Sequence, residues 1–131
     1  MLLIVFVPAR DQWFHPIDQA AWREAVLRKL AQLFGGATAF NSAGGVWVAK
    51  RHGGELMRDD PVVVHSYTTA GALKRHRGKL ESFLVDMGTE LRQRAVSYVV
   101  NNEFVEIQIA QGERGANERQ GGEPEEDAAR D

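Results

Sequence analysis

The chain of 131 residues carries four histidines, His15, His52, His65 and His76, and no cysteine. Without a thiol there is no disulfide, thiolate nucleophile, iron–sulfur cluster or cysteine-based zinc site. The histidines follow neither His-x-x-x-His nor His-Glu-x-x-His spacing, so a metal site would have to be nonlocal, with His15 and His52 meeting Asp59 or Asp60. The default for such surface histidines is an ion pair with a neighbouring acid, and the reading adopted is no metal and no cofactor. Ser42, Ser66, Ser82 and Ser97 lie outside any Gly-x-Ser-x-Gly elbow, and neither a P-loop nor Gly-x-Gly-x-x-Gly occurs. Gly35-Gly36 and Gly53-Gly54 read as turn devices rather than phosphate cradles. The chemistry left open is general acid–base catalysis by His52 or His15, with His65 as a further candidate, while Arg10, Arg51 or Arg94 holds an anionic substrate.

The elements that must position these residues follow from the hydrophobic pattern. Residues 2–7 are apolar throughout, as expected of a central strand, and Pro8 ends it. Asp18 is a helix N-cap, and Ile17 and Trp22 have hydrophobic-staple spacing. Trp22, Val26, Leu30 and Leu33 recur at helical spacing until Gly35 supplies a left-handed stop. Residues 38–41 and 45–49 read as one strand bent at Gly44-Gly45, followed by a polar loop over 50–60. The β-branched run 62–67 is a strand, and Thr68 or Thr69 caps a second helix over 70–87, weakened at Gly78. Residues 96–100 and 104–109 are strands around an Asn101-Asn102 turn.

The order is βαββαβ with one extra C-terminal strand. A ferredoxin-like α+β sandwich explains it most economically, with two helices on one face of a largely antiparallel sheet. In that topology the loops 8–17, 50–61 and 88–95 share one edge. The polar edge therefore gathers Arg10, Asp11, His15, Arg51, His52, Glu55, Asp59, Asp60, Glu90, Arg92 and Arg94.

The other sheet face has no helix to cover it. Alternation places Val63, His65 and Tyr67 there, together with Trp47 and Phe104, and the apolar first strand has no solvated side. Such a patch predicts sheet-to-sheet homodimerisation. The helix ending in Phe34, the short Gly35-Gly36 turn, the strand and the Gly-x-Trp at Gly45 and Trp47, before a Gly-Gly-Glu loop and a Pro-Val-Val-Val strand, resemble small bacterial ferredoxin-like domains of unknown function. The resemblance implies the fold and transfers no activity.

Hydrophobic residues make up 44% of the chain and charged residues 26%, which suits one folded domain and excludes a collagen-like or membrane chain. The net charge of −2 divides unequally. Residues 111–131 hold seven acids and three bases and no Val, Ile, Leu or aromatic residue, so they read as a disordered acidic tail. Residues 1–110, the single ferredoxin-like domain, keep 13 bases and 11 acids. The opening apolar run is too short for a membrane span and lacks a basic start, so a cytoplasmic location is expected. Nucleic acid is disfavoured, because the central strands LLIVFV and VVVHSY offer one aromatic residue each and no base.

The leading expectation is a binding module that homodimerises through its sheet and presents the polar edge to a protein partner or a small anionic ligand. Its binding residues would be Arg10, Trp47, Arg51, His52, Glu55, Tyr67, Arg92 and Arg94. The alternative is a small dimeric enzyme using a histidine in a pocket between sheet and loop. A concave pocket holding a desolvated, oriented carboxylate or histidine would favour the alternative.

Overall fold

The computed structural model describes residues 1–41, 44–50 and 53–111. Strand β1 (Leu2–Val7) leads through a long loop to helix α1 (Gln19–Phe34), then to strands β2 (Thr38–Phe40), β3 (Gly45–Ala49), β4 (Glu55–Asp59) and β5 (Val62–Tyr67). Helix α2 (Ala70–Glu90) and the hairpin of β6 (Ala95–Val100) and β7 (Glu103–Gln108) complete it. The main sheet has the order β2-β5-β1-β6-β7, antiparallel throughout, with both helices on one face. This is the expected ferredoxin-like α+β arrangement with one added strand beyond β6.

Local signals act where their chemistry places them. Asp18 accepts the amide hydrogen bond of Ala21 at 3.1 Å, and Thr69 accepts that of Ala72 at 3.1 Å. Gly35 ends α1 at φ 101°, donating its amide to the Ala31 carbonyl. Asn101 takes φ 54° at the β6–β7 turn, as the tight hairpin requires.

The region after β2 departs from expectation. Residues 38–49 are not one bent strand: β2 pairs with β5 in the main sheet, whereas β3 pairs only with β4. The expected loop over 50–60 contains β4. Glu55-Leu-Met-Arg-Asp is too polar to announce a strand, but it matches β3 residue for residue, from Gly45 opposite Asp59 to Ala49 opposite Glu55. Gly53 and Gly54, both at positive φ, make the turn. The result is a separate two-stranded arm, which also removes Trp47 from the main sheet face assigned to it.

Alternation fixes the two sheet faces. Leu3, Val5, Val7, Val62, Val64, Val96, Tyr98 and Val100 point to the helices and pack on Val26, Leu30, Leu80, Leu84 and Met87. The buried Tyr98 phenol donates a hydrogen bond to Glu81, and burial, then that hydrogen bond and the Glu81 charge, push its ionisation far upward. His76 packs edge-on against Phe34, as its place on α2 suggests. On the opposite face lie Ile4, Phe6, Val63, His65, Tyr67, Val99 and Phe104, all half-buried or exposed. No helix among the described residues is long and apolar enough to cross a membrane.

Helix α2 runs past its expected end at residue 87 to Glu90, and Gly88 in its last turn lets the sheet approach. A Cβ on Gly88 would lie 2.6 Å from Val96 Cγ1 and 2.8 Å from Ile109 Cδ1, whereas Gly78 has open space around it. Urea denaturation should therefore separate the two. Gly88→Ala is expected to lose about 1–3 kcal/mol through overpacking, and Gly78→Ala to gain up to about 1 kcal/mol. Equal effects would contradict this packing.

Candidate functional site

The site is organised by one loop. Residues 10–16 close on themselves through the Arg10–Pro16 bridge and paired backbone bonds, Asp11 N–H to the His15 carbonyl and Phe14 N–H to the Asp11 carbonyl, each 2.9 Å. Inside this loop the Asp11 carboxylate is fully shielded from solvent. Its Oδ1 accepts the backbone amides of Trp13 and His15, both at 2.9 Å. Its Oδ2 accepts Arg92 Nε at 3.2 Å and Nη2 at 3.1 Å, with His15 Nδ1 at 3.4 Å. Burial pushes this carboxyl's pKa up, but the two amides and the guanidinium outweigh it and hold the pKa below the ordinary value.

Arg92 arrives from the end of α2, where it stands at φ 54°, a conformation usually given to glycine. Phe14 is left-handed as well, at φ 67°. Both departures flank the same site, as stored backbone strain commonly does. Further bonds tie the loop to the post-helix segment: Gln12 N–H to the Arg92 carbonyl at 3.0 Å and Gln93 Nε2 to the Arg10 carbonyl at 2.8 Å. Gln111, expected to open the tail, bonds the carbonyls of Gln93 and Ile109 and accepts from Gln12. The rest of the tail, 112–131, lies outside the described residues.

The arm of β3 and β4 lies against this assembly. Phe14 and Trp47 are near-parallel, with centroids 6.3 Å apart and planes inclined by 26°. Between arm and loops is a cavity of about 430 Å³ whose lining includes Arg10, Phe14, Trp47, Arg58, Asp59 and Arg94. A neighbouring hollow of about 390 Å³ runs along the open sheet face past Phe6 and Ser97. Trp47, Asp59, Gln93 and Ala95 line both, so the two are compartments of one cleft.

Charge is unevenly distributed in the larger compartment. Arg10, Lys50, Arg58 and Arg94 face Asp11, Asp59 and Glu106. Asp11 is already neutralised by Arg92. Asp59 is half-buried between the compartments, and desolvation raises its pKa above the ordinary carboxylate value. Hydrogen bonds from the backbone of Ala9 and Asp60 oppose that rise, Asp60's charge adds to it, and Arg10 opposes it. The cleft thus carries an excess of positive charge beside an oriented carboxyl with a reduced tendency to ionise.

The expected site residues distribute as follows. Arg10, Trp47 and Arg94 line the cleft. Arg92 is engaged with Asp11 as a positioning group, and Glu55 is exposed at the start of β4. Tyr67 and His65 sit on the open sheet face, where His65 stacks on Phe40 at 5.0 Å and Tyr67 stands edge-on to it at 5.8 Å. His15 is 70% exposed beside Asp11 and lines neither compartment. Arg51 and His52 lie outside the described residues. Phe14, Arg58, Gln93 and Glu106 carry no expectation from the sequence, and Asp59 was expected at the polar edge, where it was weighed as a metal ligand and not as a cleft carboxyl. Their signal was weak: Phe14 sits in a loop, and Arg58 and Asp59 belong to a strand that reads as loop.

No protein-family model matches the chain, and no curated protein does. Solved structures do. A phage SAM lyase in complex with S-methyl-5'-thioadenosine superposes with a TM-score of 0.59 at 14% identity, covering 82% of this chain and 88% of that one. A phage SAM lyase in the apo state gives 0.56 at 15% identity, covering 84% and 89%. At this identity the likeness establishes the fold.

Loss of the Asp11 pairing should be visible in stability. Because the carboxyl's pKa is lowered on folding, its contribution is complete above the ordinary carboxylate value near 3.8 and fades as pH falls through the lowered folded-state value. Asp11→Asn is expected to cost about 1–3 kcal/mol at neutral pH and to flatten the acid limb of the stability–pH curve. An unchanged acid limb in urea titrations would contradict the assignment.

Proposed function

We propose that the chain binds a small planar molecule bearing an anionic group in the cleft between the β3–β4 arm and the edge loops. The observation that carries this reading is the aromatic pair Phe14–Trp47 on a cavity of about 430 Å³ whose charged lining is mainly arginine and lysine. A planar ring stacks on the half-exposed indole of Trp47. Arg10, Arg58 and Arg94 supply fork-shaped donors for a carboxylate or phosphate. A volume of this size suits a nucleoside-sized ligand. The S-methyl-5'-thioadenosine held by the fold neighbour makes adenosine derivatives the first class to test.

A second reading is acid–base catalysis in the same cleft, and Asp59 is its specific support. Its carboxyl is desolvated, oriented by two backbone donors and placed between the two compartments. In this reading the aspartate takes the role expected of a histidine, since no described histidine lines the cleft.

Isothermal calorimetry with S-methyl-5'-thioadenosine, adenosine and adenosine monophosphate tests the binding reading. The monophosphate is expected to bind more tightly than adenosine, and Trp47→Ala to weaken binding about 5- to 150-fold, the range that corresponds to loss of one stacking partner. Absence of binding by all three, or binding indifferent to Trp47→Ala, would count against it.

Asp59 gives a separate check. A carboxyl whose pKa is raised on folding costs stability once the pH exceeds the ordinary carboxylate value, and that cost is complete above the raised value. Asp59→Asn is therefore expected to raise the melting temperature at pH 7 while lowering any turnover in the cleft. A lower melting temperature at that pH would show that the carboxylate is structural.

A further inference from the structure

A different surface carries an inference independent of the cleft. We infer that the open face of the main sheet is covered by the same face of a second copy of this chain. Ladder pairing arranges the face in rows across the strands. One row runs Thr38, His65, Ile4, Val99 and Phe104; the next pairs Tyr67 with Leu2, and Phe40, Val63 and Phe6 lie on the other side. The arm reaches only the end near Phe6 and Ser97. The remainder is left with Tyr67 69% exposed, Phe104 61% and Phe40 53%.

Three aromatic side chains of roughly 150–250 Å² each, exposed to this degree, present about 350 Å² of aromatic surface. Ile4, Val63, His65 and Val99 fill the space between them. This forms the apolar centre of a patch, against the ~800 Å² that each partner contributes to a stable interface.

The chemistry of the patch selects its occupant. The central row and the Tyr67–Leu2 pair contain no Asp, Glu, Lys or Arg, whereas the Phe6 row continues through Ser97 to Glu106 at its cleft end; the imidazole of His65 is stacked on Phe40 with a solvent-shielded Nδ1 that has no hydrogen-bond partner among the described residues. A strongly charged partner finds no counter-charge here, and an anionic membrane finds no cation. A two-fold axis through the central row and the Tyr67–Leu2 pair sets uncharged surface on uncharged surface and leaves Glu106 at the margin, which is the self-complementarity of an isologous interface. Growth through the sheet edges is disfavoured instead: β2 is three residues long, and β7 carries Glu103 and Glu106.

Sedimentation equilibrium on the full chain at micromolar concentration tests this. The expected mass is twice the 14.6 kDa of one chain. Tyr67→Glu and Phe104→Glu, each with circular dichroism matching the wild type, are expected to raise the dissociation constant roughly 30-fold or more. Leu56→Glu, at an exposed position on the arm, should leave it unchanged. A wild-type mass of a single chain, or an assembly that survives both sheet-face substitutions and dissolves with Leu56→Glu, would overturn the inference.

Discussion

A carboxylate with no access to water must be surrounded by donors, and most of the loop-bearing end of this molecule is the arrangement that supplies them to Asp11. Two backbone amides come from its own loop and the guanidinium comes from Arg92, two residues past the end of helix α2. The loop can offer its amides only by curling tightly, which sets Phe14 at positive φ. The helix can offer Arg92 only by ending in a left-handed residue with a long side chain where glycine would be easier. Breaking the pair would leave a buried charge uncompensated, so the two loops are held together by more than their own propensities. The position of Phe14, and with it the aromatic contact to the arm, follows from that pairing.

The arm supplies the other wall. A two-stranded ribbon is marginal alone, and this one owes its position to contacts such as Trp47 on Phe14 rather than to sheet pairing. It therefore roofs a cleft instead of extending the sheet. The cleft is where the molecule departs from optimal stability: a carboxyl with a raised pKa at Asp59, arginines facing it from both the arm and the loops, and exposed apolar residues on the ribbon. Natural proteins keep such departures where ligands are handled. The ferredoxin-like frame beneath it is regular, with a core of aliphatic residues facing two helices.

How much of this could be read from the residues depended on whether the signal was local. Asp18, Thr69, Gly35 and Asn101 each carry their reason within a few positions, and each acts as its type predicts. The apolar run 2–7 and the β-branched run 62–67 disclose central strands because burial on both sides leaves no polar position. The strand 55–59 was hidden because an exposed arm needs no apolar alternation, and its partner could be found only by pairing. Topology alone places Arg10 and Arg94 at the polar edge, and both line the cleft; Trp47, expected on the sheet face, reaches the cleft through the arm. Asp59 and Phe14 were obscured for a physical reason: one gains its character from desolvation by distant segments, the other from a loop conformation imposed by Asp11. Histidine drew attention by its ordinary pKa, whereas burial can bring a carboxyl into the same role.

The central claim is that the arm and the edge loops together form one ligand cleft. Amide chemical-shift mapping during a titration with adenosine monophosphate tests it most directly. The account predicts saturable shifts at Arg10, Phe14, Trp47, Asp59 and Gln93, including the Trp47 indole N–H, with Tyr67 and Phe104 unmoved. Shifts absent at saturating ligand, or confined to the open sheet face, would contradict it.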